Sequence, residues 1–315
     1  MDKKELQQEI RRLKREKNAV ILGHYYLRDE IKEVSDYIGD SLALAQRAQR
    51  CENDIIVFCG VHFMAETAKI LNPSRRVLLP DLAATCSLAE CCPAEEFARF
   101  KAQHPDHVVI SYVNCSAEIK ALSDLICTSG NAVQLVRSLP EEAKIIFAPD
   151  KNLGGYINRV TGRQMVLWDG SCMVHDAMRA ESVRRLRREH PCAEVVAHPE
   201  CRAEVLAEAD FVGSTQAMLS HLRQLAKREV IVATEAGILY EMRRENPDKE
   251  FYVVPMGGSG GCAECGYMKQ NTLEGLYGCL RDERPEIALD SETLARAAKP
   301  IERMLEMSRQ LGLIK

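Results

Sequence analysis

One twelve-residue pattern occurs three times in this chain of 315 residues, and it constrains the fold more than any other feature. The segment EIKEVSDYIGDS from Glu30 matches EIKALSDLICTS from Glu118 at seven of twelve positions, and EVLAEADFVGST from Glu204 repeats the pattern, at offsets of 88 and 86 residues. Around each copy, short apolar runs such as NAVILG, DIIVFCG, HVVISYV, AKIIFAP, AEVVAHP and REVIVAT alternate with amphipathic helical stretches. Continuous apolar runs are the mark of strands covered on both faces, so the alternation predicts parallel α/β structure. The repeat predicts three similar α/β/α units around a central cavity, spanning 1–85, 86–172 and 173–256, with a tail from 257–315 that packs back on the first.

The repeat aligns single polar residues into columns. After the first strand of each unit stand His24, Tyr112 and His198, then Tyr26, Asn114 and Glu200 two residues on. Asp36, Asp124 and Asp210 follow, then Ser41, Ser129 and Thr215, each expected to open a helix. Each unit ends in a cysteine loop, carrying Cys86, Cys172, and Cys262 or Cys265. Ligands of open parallel sheets sit beyond the carboxyl ends of the strands, which is where every column is expected.

Composition narrows the chemistry. A net charge of −4 offers no basic field for nucleic acid or an anionic membrane, no apolar run is long enough to span a bilayer, and the N-terminus reads as a charged amphipathic helix. These features predict a cytoplasmic protein acting on small molecules. Thirteen cysteines in a reducing compartment stay thiols, available for burial, redox work or metal. Three thiolates from three units suit one central metal centre: an iron–sulfur cluster with an open iron, or zinc with His175 as fourth ligand.

Helix starts carrying hydroxyls are ready anion sites, so Ser41, Ser129, Ser214 and Thr215 are candidate contacts to phosphate or carboxylate. His24, His175 and His198 with Tyr26 supply proton donors and acceptors, Glu200 in His-Pro-Glu-Cys is the leading base, and Tyr112 and Asn114 position substrate. His104, His107, His190 and His221 read as solvated surface. The run Met256-Gly-Gly-Ser-Gly-Gly-Cys262 lacks the ending of a phosphate loop and would let backbone approach a cluster. Cys262 and Cys265 form the one Cys-x-x-Cys, which keeps open a redox sensor, with iron–sulfur or zinc, as a reading of another class.

These motifs, in order, resemble one family. Gly23-His24-Tyr25-Tyr26, Gly39-Asp40-Ser41, Tyr112-Val113-Asn114, Cys127-Thr128-Ser129, His198-Pro199-Glu200-Cys201, Gly213-Ser214-Thr215, Glu245-Asn246-Pro247-Asp248 and the run Met268 to Leu273 are similar to those of the quinolinate synthases. The resemblance implies three similar α/β/α domains about a four-iron four-sulfur cluster held by three cysteines, here Cys86, Cys172 and Cys265. Cys265 is preferred to Cys262 because it immediately precedes the matching Met-Lys run. It implies condensation of iminoaspartate with dihydroxyacetone phosphate to quinolinate, with loss of phosphate and two waters, in NAD biosynthesis. An L-aspartate oxidase or an aspartate dehydrogenase would be the partner supplying the imine. Thr85, Gly130 and Gly266 depart from the family pattern at positions where glycine, serine and proline are usual.

Overall fold

A computed structural model describes residues 1–257 and 261–314. Among them, three parallel sheets follow one another along the chain. The first contains β1 (Ala19–His24), β2 (Tyr37–Gly39), β3 (Ile55–Cys59) and β4 (Arg76–Leu78), in the order β2-β1-β3-β4. The second contains β5 (Val108–Tyr112), β6 (Leu125–Cys127), β7 (Ile145–Ala148) and β8 (Val166–Leu167), ordered β6-β5-β7-β8. The third contains β9 (Glu194–Ala197), β10 (Phe211–Val212), β11 (Glu229–Ala233) and β12 (Glu250–Val253), ordered β10-β9-β11-β12. The architecture is α/β, with helices between successive strands.

The register repeats as well as the order. Leu22 pairs with Tyr37, Ile110 with Leu125 and Val196 with Phe211, a spacing of fifteen residues each time. The aspartate column sets that register. Asp36, Asp124 and Asp210 accept hydrogen bonds from the backbone N–H of Ile21, Val109 and Val195 at 2.8, 2.8 and 2.9 Å. Each aspartate precedes the second strand of its sheet, so this column lies at the amino ends, away from the carboxyl ends where it was expected. Its role is to clip two strands together, and hydrogen bonds to a charged acceptor contribute about 1.5–3 kcal/mol each.

The first helix, Lys3–Glu16, is held by a reciprocal cap between Asp2 and Glu5 and buries Leu6, Ile10 and Leu13. Helix Leu273–Asp282 packs on it and shares its core with β1 and β3. The segment after that helix runs along β4, where Ile287 N–H donates to the Val77 carbonyl, and the rest of the tail reaches the second unit as well. The long final helix, Ser291–Gln310, lies chiefly against helix Ala117–Leu122 and β6 of the second sheet. Its stripe of Ala297, Ile301, Met304 and Leu305 fills a core continuous with Phe58 and Ile110, and Ser308 Oγ accepts a hydrogen bond from Asn131 Nδ2 at 3.1 Å. That stripe is long enough to cover two sheets' helices at once, which a sequence pattern does not reveal. No helix among the described residues is long and apolar enough to cross a membrane.

Candidate functional site

The carboxyl ends of the three sheets contribute to one cavity. Its lining includes His24 at the end of β1, Tyr112 at the end of β5 and His198 just after β9. Tyr26, Asn114 and Glu200 join them, as do Ser41, Ser129 and Thr215. Cys86, Cys172 and Cys265 line the same space, with His175. Ser214 is not in the lining, and Cys262 is exposed.

The hydroxyl column differs in detail from expectation. Ser41 and Thr215 are the first residues of helices Ser41–Gln49 and Thr215–Leu222, but the caps are the residues before them. Asp40 accepts from Ala43 N at 3.0 Å and Ser214 from Ala217 N at 3.2 Å. Ser214 is therefore spent on capping, which leaves the Ser41 and Thr215 hydroxyls uncommitted to that task. Ser129 opens no helix. It sits in the turn before helix Ala132–Arg137, with its Oγ 3.2 Å from His198 Nε2. On the second unit, Asn114 Oδ1 is buried without a hydrogen-bond partner among the described residues, a group that a bound ligand would satisfy.

A hydrogen-bonded chain crosses the cavity wall. Tyr112 donates to Glu200 Oε1 at 2.5 Å, and Glu200 Oε2 lies 2.9 Å from His175 Nδ1. His175 Nε2 is 2.9 Å from Thr234 Oγ1, which lies 3.0 Å from the Tyr26 hydroxyl. Stacked on His175 at 4.8 Å between centroids is His198, whose Nδ1 is 3.8 Å from Glu200 Oε1. In the neutral tautomer with Nδ1–H toward the Glu200 carboxylate, Nε2 accepts from Thr234 and Thr234 accepts from Tyr26.

Electrostatics decide which groups hold protons. Burial, reinforced by Lys32, pushes His24 down to about 3, and burial pushes His198 down to about 3 against the pull of Glu200, so both rings are neutral near pH 7. Burial keeps the Tyr26 and Tyr112 phenols well above their ordinary value. For Glu200, burial acts upward, but the facing His175 and the hydrogen bonds from His175 and Tyr112 win and hold it below the usual carboxylate range. Glu200 is therefore ionised near pH 7, as a base must be.

Cys172 Sγ, a His175 nitrogen and a Glu200 oxygen lie within 4.8 Å of one another, a group able to hold a metal ion. It contains one cysteine of the three expected. Burial pushes the thiols of Cys86, Cys172 and Cys265 upward, and the Cys86 thiol is raised further by Cys265 and that of Cys172 by Cys86. All three cysteines line the one cavity, and soft sulfur donors with an imidazole beside them fit a thiophilic metal centre. The glycine-run reading falls on residues 258–260, outside the described residues.

Three buried residues escaped sequence reasoning: Glu235 in the cavity lining, Thr234 bonded to two lining residues, and Asp150 outside the lining. Thr234 and Glu235 follow β11, and Asp150 follows β7, all of them buried. They form a further column, at the ends of the third strands, for which the repeated pattern supplied no anchor. Strand end followed by a polar residue was the available signal.

Comparison with known proteins converges on one family. The family model described as quinolinate synthetase A protein matches residues 8–306. A quinolinate synthase of Microcystis aeruginosa is 56% identical over 299 residues, covering 95% of this chain and 94% of the relative. Those of Synechococcus sp. and Chloroherpeton thalassium are 57% and 55% identical, covering 95% and 97% of this chain and 94% and 95% of theirs. With matches that span nearly the whole length, this chain belongs to the quinolinate synthetase A family.

Proposed function

We propose that the protein is a condensing enzyme of NAD biosynthesis that joins iminoaspartate to dihydroxyacetone phosphate, forming quinolinate and releasing phosphate and two waters. The observation that carries this reading beyond family membership is the convergence of the repeat-related residues on one cavity. The recurring strand order and register support three pseudo-symmetric units about that cavity, divided near residues 85 and 172. Both substrates are small anions. Ser41, Ser129 and Thr215 are placed to contact their carboxylates and phosphate through hydroxyls, with Asn114 Oδ1 available to a donor such as the imine N–H.

Cys86, Cys172 and Cys265 would hold a four-iron four-sulfur cluster with one iron open to substrate. When bound, such a cluster supplies a Lewis acid that polarises a leaving oxygen. Around it, Glu200 is ionised and able to take a proton from the carbon that forms the new bond. Tyr26 and Tyr112 keep their protons and are the donors for a departing hydroxyl. His175 orients Glu200 through Nδ1 and receives Thr234 at Nε2, while neutral His24 and His198 offer hydrogen bonds rather than charge. A largely closed site also shields the imine from hydrolysis.

Anaerobically purified protein supplied with both substrates should form quinolinate; no product would remove the reading. Glu200→Gln keeps shape but not charge, so kcat should fall at least about a hundredfold with iron content and substrate binding retained. A parent-like rate would take the base role from Glu200. The Cys172, His175 and Glu200 group favours a second reading, a single divalent ion. Iron and acid-labile sulfide in equal amounts, with no zinc, decides for the cluster.

A further inference from the structure

We propose that Glu235 and Lys269 are a positioning pair that sets two parts of the site together: the backbone at Cys265 and the turn that carries Tyr26. Glu235, 1% exposed, stands just beyond β11. Its Oε1 accepts from Cys265 N at 3.0 Å and its Oε2 from Gly237 N at 2.6 Å. The same Oε1 lies 3.1 Å from Lys269 Nζ, and that ammonium donates to the Tyr26 carbonyl at 2.7 Å. Arg28 closes the loop by donating from Nε to the Lys269 carbonyl at 3.1 Å. A Cβ on Gly237 would lie 2.8 Å from Tyr26 Cα, so the Tyr26 main chain is pressed directly against the turn that Glu235 ties.

Three chain segments thus meet at one buried charge: the end of β11, the Cys265 loop and the turn after β1. The hydrogen bonds of the pair in these segments run to main-chain atoms, Cys265 N, Gly237 N and the Tyr26 carbonyl, while Glu235 also lines the cavity. They act through backbone, and the readout is where those two side chains are held. Thr234, the neighbour of Glu235, receives the Tyr26 hydroxyl, so a shift of the turn moves both ends of that hydrogen bond. The pair is stiff on the Glu235 side, because removing Lys269 leaves a fully buried carboxylate without its counter-ion. A merely structural role, attaching the tail that begins near Lys269, would change stability and leave the chemistry of the folded protein alone.

The inference rests on Cys265 being a cluster ligand. The test uses anaerobically reconstituted protein: the parent, Glu235→Gln, Lys269→Met, the double variant and Cys265→Ser. Each single variant of the pair should lower kcat per bound iron at least tenfold with KM within threefold, and transfer iron to a chelator at least fivefold faster. The double variant should be no worse than Lys269→Met alone, since it removes both charges together. Single variants with parent kcat per iron and parent iron release overturn the proposal, as do effects that multiply in the double. Should Lys269→Met fail to fold, Glu235→Gln, which removes the charge and keeps one of the two acceptors for a backbone N–H, carries the test by the same thresholds. A Cys265→Ser protein that retains its iron overturns the ligand reading and the pair with it; one that loses iron while Glu235→Gln behaves as parent refutes the pair alone.

Discussion

Replacing Thr234 with valine removes one hydroxyl and almost no volume, at a residue with no exposed surface. Two contacts go with it, 2.9 Å to His175 Nε2 and 3.0 Å to the Tyr26 hydroxyl. Each hydrogen bond is worth about 0.5–1.5 kcal/mol net, so the change removes about 1–3 kcal/mol from whichever state depends on them. If Tyr26 and His175 must be held in line for the reaction, that loss falls on the transition state and lowers kcat about 5- to 150-fold. The assay is anaerobic steady-state quinolinate formation, normalised to bound iron so that cluster loss is scored separately. Thr234→Ser restores the hydroxyl and should return the rate to within about threefold of the parent, because both hydrogen bonds are re-formed. A valine variant at the parent rate would refute the reasoning. So would a serine variant as slow as the valine, which would place the effect in methyl packing.

Cys265→Ser should strip most iron and sulfide from the chain while Cys262→Ser, at an exposed position, keeps both, as read by metal and sulfide analysis of anaerobic protein. Asn114→Leu should raise KM about tenfold at unchanged iron content, the value of one hydrogen bond to a polar substrate group in steady-state kinetics. Asp150 caps helix Lys151–Thr161 through Oδ1 while its Oδ2 has no partner among the described residues, and burial, then the Glu200 charge, raises its carboxyl well above the ordinary value. The folded state therefore binds a proton that the unfolded state releases above the usual carboxylate range, so this group's contribution to stability falls as pH rises through and beyond that range. Asp150→Asn should accordingly raise the Tm of the metal-free protein at pH 8 and lose that advantage near pH 4.

The repeated pattern around Glu30, Glu118 and Glu204 was enough to specify three α/β units, because strand periodicity and the fifteen-residue register are local properties of the chain. It also marked the residues at the ends of the first strands, from His24 to Glu200, and the cysteine loops, since those positions follow from where each strand stops. Capping was legible only to within one residue. Asp40 and Ser214 rather than Ser41 and Thr215 hold the helix starts, a choice made by the extended backbone at the cap. What tertiary structure alone decided is which ends meet. Thr234 joins Tyr26 to His175 across 208 and 59 residues of chain, and Glu200 draws its hydrogen bond from Tyr112 across 88. The ionisation of Glu200 follows from those meetings, because the His175 imidazole and the Tyr112 phenol outweigh burial only once distant segments have been brought together. The final helix shows the same limit: its apolar stripe is plain in the sequence, but its seat on the second sheet's helix depends on the space left between packed units.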